Sequence, residues 1–286
     1  MFTQNKCLNI GSKGKKILST FLCLTLTIII PIRSVEAQVK QPNPSSLPNE
    51  IVSTPLTPDK DSEVILDAVN IKTAPDGTIT IEAKGGHVDG MPAFAYDISI
   101  DTRQGTYKTK LVPLSDVKIY SSQQGSSGDN KDKSESSWSS PNNAQPLAIA
   151  PGTYEAKILV QTLDPVFFLL AQTTNYLKWT VSSSGSVQWK SYTGGCAGFT
   201  TPLGTHWYVS SCRSNLPYYQ SGIAYNEAAG TYYNWDWGNP NLATYSSHWV
   251  KVGGKNDGHC TYSWTYSDWG EDATLTWGRR VVVQCP

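Results

Sequence analysis

From Cys260 to Tyr266 the chain alternates without a break: Cys260, Tyr262, Trp264 and Tyr266 are separated by Thr261, Ser263 and Thr265. A period of two places the large groups on one face of an extended strand and the hydroxyls on the other, a sorting no helix can reproduce. Tyr233, Trp235 and Trp237 alternate with Asn234 and Asp236 in the same way. Turn chemistry recurs at Pro202-Leu203-Gly204, Gly238-Asn239-Pro240-Asn241, Gly253 to Gly258 and Trp269-Gly270-Glu271-Asp272. The runs between these turns are short, β-branched and aromatic, with no helical period. Residues 187–286 are therefore expected to form a compact, disulfide-bonded antiparallel β-sandwich or barrel.

The preceding stretch also reads as β-structure, which makes the fold class all-β. Extended runs are predicted at Val64 to Ile71, Thr78 to Ala83, Ala93 to Ile100, Lys108 to Leu114, Val117 to Tyr120, Tyr154 to Leu163 and Tyr176 to Val181. Pro75-Asp76-Gly77 predicts a hairpin between the first two, since Gly77 can take the positive φ that such turns require. The continuous apolar run Val166 to Leu170 reads as a buried core strand. Ala150-Pro151-Gly152-Thr153-Tyr154, feeding an alternating strand, resembles the late strands of bacterial immunoglobulin-like sandwiches. The resemblance implies an immunoglobulin-like β-sandwich over 61–183, interrupted by a long Ser-, Gly- and Asn-rich mobile loop at 121–145 that carries Trp138. Ser182-Ser183-Ser184-Gly185-Ser186 is expected to mark the boundary to the second domain. Residues 38–60, with five prolines and few large apolar groups, read as a disordered linker.

The first 37 residues have the form of an export signal. Lys6, Lys13, Lys15 and Lys16 precede an apolar run from Ile17 to Ile30, and Val35 and Ala37 fit the positions a signal peptidase reads, so cleavage is expected after Ala37. The run is too short to span a bilayer and closes at Pro31 and Arg33. Cys7 and Cys23 leave with the leader. The remainder carries 18 positive and 22 negative side chains, a net charge of −4. Without a basic excess or stripe, the counterion-release term that drives nucleic-acid affinity is missing, and nucleic acid is not an expected partner. No integral membrane segment is expected after cleavage, because the later apolar runs are much shorter than a span. The expected location is extracellular or periplasmic.

Cys196, Cys212, Cys260 and Cys285 remain, and four cysteines in an exported chain imply two disulfides rather than a metal site. Three pairings exist. A hairpin turning at Pro202 to Thr205 would bring Cys196 opposite Cys212, leaving Cys260 for Cys285. The second hairpin fits less well, because its turn chemistry centres near Gly270 rather than between Asp272 and Ala273. A bulge at Gly278 would recover part of that offset.

Seven of the ten tryptophans follow residue 195 (Trp207, Trp235, Trp237, Trp249, Trp264, Trp269 and Trp277), more than a small domain is expected to enclose. Each aromatic face can fill the space between sheets or stay open as a stacking platform. The residues assigned to a ligand site are Trp235, Asp236, Trp237 and Asn239, where rings lie beside a carboxylate and an amide, together with Tyr262 and Trp264. Rings flanked by Asp and Asn suit a sugar, which offers an apolar face and a rim of hydroxyls. The expected role is thus non-catalytic recognition of a surface glycan or extracellular protein, without a cofactor. A hydrolase using His206, His248 or His259 is the alternative, although neither HExxH nor GxSxG occurs. Asp268, Glu271 and Asp272 would suit calcium, but a polar turn accounts for them more simply. A structural surface protein leaves the aromatic excess unexplained, and a membrane-active toxin would use Trp and Tyr at a lipid interface.

Overall fold

The computed structural model describes residues 52–120, 151–202, 206–236, 239–270 and 277–286, and of residues 235, 236 and 239–242 only the backbone. The leader expected at 1–37, residues 38–51 of the expected linker, the loop expected at 121–145 and Trp237 lie outside those residues. In chain order the strands are β1 (Val52–Pro55), β2 (Thr57–Pro58), β3 (Ala68–Thr73), β4 (Ile79–Lys84), β5 (Ala93–Asp101), β6 (Thr106–Val112), β7 (Gly152–Leu163), β8 (Leu169–Val181), β9 (Val187–Gly198), β10 (Tyr208–Ser214), β11 (Tyr218–Gln220), β12 (Ile223–Asp236), β13 (Asn239–Gly254), β14 (Cys260–Gly270) and β15 (Gly278–Gln284).

These strands form two sheets. Sheet A runs β1-β3-β4-β14-β13-β12-β10, with β11 also on β12; sheet B runs β2-β6-β5-β15-β7-β8-β9. All pairings are antiparallel except that of β2 with β6. Early and late strands share both sheets: β14 pairs β4, and β15 lies between β5 and β7. Ser182 to Ser186, expected as a domain boundary, is instead the turn joining β8 to β9 within sheet B, closed by Gly185 N–H to Ser182 O at 2.9 Å. The linker ends sooner than expected, because Val52 to Pro58 supplies an edge strand to each sheet. Pro55 and Pro58 sit on those edges, where a missing N–H breaks no ladder.

The hairpin expected at Pro75-Asp76-Gly77 joins β3 to β4, with Gly77 at φ +85°. The apolar run does not form a core strand. β8 begins only at Leu169, and Val166, Phe167 and Phe168 are exposed on the turn before it. Asp164-Pro165 decides this: the carboxylate caps the turn by accepting from Val166 and Phe168 N–H, and proline cannot continue the ladder.

Between the sheets, Val69, Ile71, Ile81, Val250, Val252, Tyr262, Trp264 and Tyr266 face Tyr96, Ile98, Ile158, Val160, Leu177, Trp179, Val281 and Val283. Burying each such side chain is worth about 1.5 to 3 kcal/mol. Trp264 Nε1–H donates to Tyr96 Oη at 3.1 Å, so the polar handle of the indole is satisfied inside the core.

Cys196 bonds Cys212, and Cys260 bonds Cys285, with Cα separations of 5.8 and 5.6 Å. Neither bridge crosses a hairpin. β9 and β10 lie in facing sheets, as do β14 and β15, so both disulfides tie sheet A to sheet B. This removes the register difficulty at Cys260 and Cys285, because strands in opposite sheets have no shared hydrogen-bond register to satisfy.

Candidate functional site

On β14, the residues that do not face sheet B are Thr261, Ser263, Thr265, Ser267 and Trp269; on β13 they are Tyr245, Ser247, Trp249 and Lys251. All are half-buried, and all lie on the outer face of sheet A. At one end of this face four aromatic residues stand in direct register on four adjacent strands. Tyr208 opposes Tyr233, Tyr233 opposes Tyr245, and Tyr245 opposes Trp269. Their ring centroids are 5.3, 6.4 and 5.4 Å apart, and the last pair is parallel within 4°. His206 extends the row, 6.1 Å from Tyr208. Directly opposed aromatic pairs contribute about 0.2 to 1 kcal/mol each to a sheet, so the ladder stiffens the face as well as covering it.

The opposite end of the face is a groove of about 620 Å³, lined by Asn70, Glu82, Lys84, Tyr225, Trp249, Lys251, Ser263 and Thr265 among others. Two of its three charged side chains are paired, and Lys84 is exposed. Lys251 Nζ lies 3.6 Å from Glu227 and 4.1 Å above the Tyr225 ring, and Lys72 pairs with Glu82 at 2.7 Å. Tyr245 and Trp249 are four residues apart on β13, about 13 Å at the usual strand rise. Between them stand the hydroxyls of Ser247 and Thr231, with Thr80 and Ser267 joined Oγ1 to Oγ at 2.8 Å.

The residues assigned from sequence divide by strand face. Trp235, Asp236 and Asn239 belong to the β12 and β13 hairpin, closed by the Asp236 and Asn239 pair just beyond the ladder residue Tyr233; their side chains, and Trp237 altogether, lie outside the described residues. Tyr262 and Trp264 are buried in the core, where Tyr262 Oη donates to Gly86 O at 3.0 Å. Of the two uses open to that aromatic face, the structure places these rings in the core. Sequence reading missed Tyr208, Tyr245, Trp249 and Trp269 as a group. Each sits at an outward position of an alternating strand, but their alignment depends on pairing across four strands.

The three histidines are not brought together. His206 is exposed, with Nδ1 2.8 Å from Thr200 Oγ1; His259 lies beyond the far end of β13, its N–H on Asp257; His248 is buried between the sheets. Among the described residues no group of three His, Cys, Asp or Glu side chains could hold a metal ion. Asp268, considered for calcium, is buried and paired with Arg279 at 3.0 Å; Glu271 and Asp272 lie outside the described residues.

The interior beneath the ladder is polar. Thr162 Oγ1 is 2.7 Å from His248 Nε2 and donates to Tyr266 Oη at 3.1 Å. The His248 ring lies between those of Tyr232 and Tyr266, with centroids at 5.0 and 5.1 Å. Burial, and then the nearby Arg279 charge, pull the imidazole down to about 3, so it is neutral at physiological pH. Burial raises Asp268 to about 6 against the opposing pull of Arg279. Closed off by the ladder strands, this network braces the face from below.

Compared with protein-family models, curated proteins and solved structures, the chain gives no match.

Proposed function

We propose that the protein is an exported, non-catalytic binding protein that holds a neutral surface glycan on the outer face of sheet A. The aromatic ladder Tyr208, Tyr233, Tyr245 and Trp269 carries this reading, because four half-exposed amphipathic rings in register form a rigid surface of the kind that marks binding sites. The rows of hydroxyls beyond the ladder can exchange hydrogen bonds with a sugar rim, and the pairing of Lys251 and Glu82 leaves Lys84, among the described residues, as the one lining charge of the Trp249 groove without an ion pair. The Asp236 and Asn239 backbone pair lies just beyond Tyr233 of the ladder, and Trp235, Asp236, Trp237 and Asn239 are assigned to the same site on their sequence alone. The leader-like first 37 residues and the two disulfides support export.

Affinity electrophoresis in gels containing neutral polysaccharides (a β-glucan, a xylan, a galactomannan and a glycol-chitin) tests the reading. Retardation by at least one, lost in Trp269→Ala and weakened in Trp249→Ala with the thermal transition preserved, is the expected result. Unchanged mobility in every gel, or retardation that both variants retain, would discard it.

A further inference from the structure

The turn between β7 and β8 presents the most concentrated exposed apolar surface among the described residues. Val166, Phe167 and Phe168 keep 62, 64 and 37 % of their surface in solvent. We infer that this turn is an apolar finger that inserts into the interfacial region of a phospholipid bilayer.

The N–H groups of the turn need no bond from water. Asp164 N–H donates to Phe168 O and Phe167 N–H to Asp164 O, both at 2.9 Å. Val166 and Phe168 N–H donate to Asp164 Oδ1 at 2.9 and 2.8 Å, and Pro165 has no N–H. Every donor from Asp164 to Phe168 is therefore satisfied internally or absent. The carbonyls of Pro165, Val166 and Phe167 accept no such bond, so the tip fits the hydrated interfacial region of a bilayer, where water still reaches them, rather than its hydrocarbon core.

Phe167 supports the same conclusion. It holds φ +67°, a conformation that glycine adopts freely and a phenylalanine rarely does. The position keeps a large exposed ring at a conformational cost, and that ring is the element a membrane would receive. The surface is a convex turn rather than a groove, so it suits a fluid surface better than a shaped side-chain knob. Tyr208 and Val209, exposed at 41 and 40 %, begin β10 on the same end of the sandwich, because Trp207 N–H bonds Phe199 O and Phe199 N–H bonds Leu170 O. Amphipathic tyrosine beside an apolar tip matches the headgroup level of a bilayer. The one charged side chain of the turn is Asp164, whose carboxylate is held by backbone donors. The lipid is thus expected to be zwitterionic, with neither anionic headgroups nor low salt required.

The test is sedimentation of the exported protein with pure phosphatidylcholine vesicles, which contain no glycan and so separate this inference from the binding reading above. The comparison is the double variant Phe167→Ser, Phe168→Ser, accompanied by the single variant Phe167→Ser, whose thermal transition should match the native one because that ring is the more exposed of the two. The native protein should partition onto the vesicles, and the variant should lose about 100-fold, roughly tenfold for each ring removed. Partitioning should be unchanged when half the lipid is phosphatidylglycerol and when salt is raised. The inference is overturned if the native protein stays in the supernatant, if the variant partitions equally, or if binding requires phosphatidylglycerol and disappears in salt. Self-association of the native protein that the variant abolishes, without vesicle binding, would assign the tip to a protein contact instead.

Discussion

Arg279 Nη2 on β15 lies 3.0 Å from Asp268 Oδ2 on β14, an ion pair that crosses between the sheets with only 1 and 0 % of the two side chains exposed. The guanidinium also sits 4.4 Å from the centre of the Tyr266 ring and donates to Trp277 O at 3.1 Å. Breaking such a pair from one side strands a charge in the interior. Asp268→Asn is therefore expected to lower unfolding free energy by about 3 to 5 kcal/mol, whereas replacing both residues with leucine and methionine should recover much of the loss. Urea denaturation of the single and double variants measures this. A double variant no better than the single would show that the pair itself, rather than the uncompensated charge, carries the stability.

His248 and Asp268 set opposite pH dependences. The imidazole titrates near 6.5 when unfolded and near 3 when folded, so stability is full above 6.5 and falls as pH drops toward 3. Asp268 titrates near 3.8 unfolded and near 6 folded, so its contribution grows as pH falls from 6 to 4. In the native protein the two offset each other over that range, and the steep acid loss comes below about pH 4. In His248→Gln the histidine contribution vanishes, and stability should rise between pH 6 and 4. Chemical denaturation at pH 4, 5 and 6 checks the sign; a variant that still loses stability across that window would contradict the assignment.

Trp264 and Trp249 should part company on truncation. Trp264 is buried with its indole N–H on Tyr96, so Trp264→Ala should cost about 3 to 5 kcal/mol. Trp249 is half-buried on the outer face, and its truncation should move the melting temperature far less while weakening polysaccharide retardation. Equal destabilisation by both would make Trp249 a core residue in energetic terms.

Much of this architecture is legible in the sequence, and the illegible part has a common cause. The alternation at Cys260 to Tyr266 predicts which residues face inward on β14, because a strand's period is a local property. Likewise Pro75-Asp76-Gly77 specifies its own turn. Local pattern contains nothing about which strands become neighbours, so the chain reads as two successive domains, whereas β4 pairs with β14 and β15 fills the middle of sheet B. The site suffers the same limit. Tyr208, Tyr233, Tyr245 and Trp269 meet only through the register of four strands, and the Arg279, Asp268 and His248 network only through the packing of two sheets. Phe167 and Phe168 mislead for a different reason: an apolar run reads as buried until Asp164-Pro165 is given its weight as a turn.

The disulfides should act on the whole fold. Each joins sheet A to sheet B across sequence separations of 16 and 25 residues, for which loop-closure entropy gives about 3 kcal/mol apiece. Intact mass should fall short of the reduced form by about four hydrogens, two for each bridge. Reduction should lower a single thermal transition rather than one of two. Two separable transitions in calorimetry would instead favour independent domains.

The proposed export makes a prediction at the amino terminus. N-terminal sequencing of the protein recovered outside the cytoplasm should begin at Gln38, one residue past the small side chain of Ala37. Recovery of an intact Met1 on membrane-bound material would remove the basis for secretion.

The place of β15 bears on when this protein can fold. It is synthesised after every other strand of the two sheets, yet it sits between β5 and β7, bonded on both sides. Until it arrives, β6 and β5 on one flank and β7, β8 and β9 on the other have no common partner, and sheet B cannot close. The interrupted core leaves a growing chain little incentive to collapse early, so it should remain open while it is being made. Under the proposed export, an unfolded thread is the form a secretion channel accepts, and the Cys260–Cys285 bridge, whose second cysteine follows β15, can form only after β15 has docked.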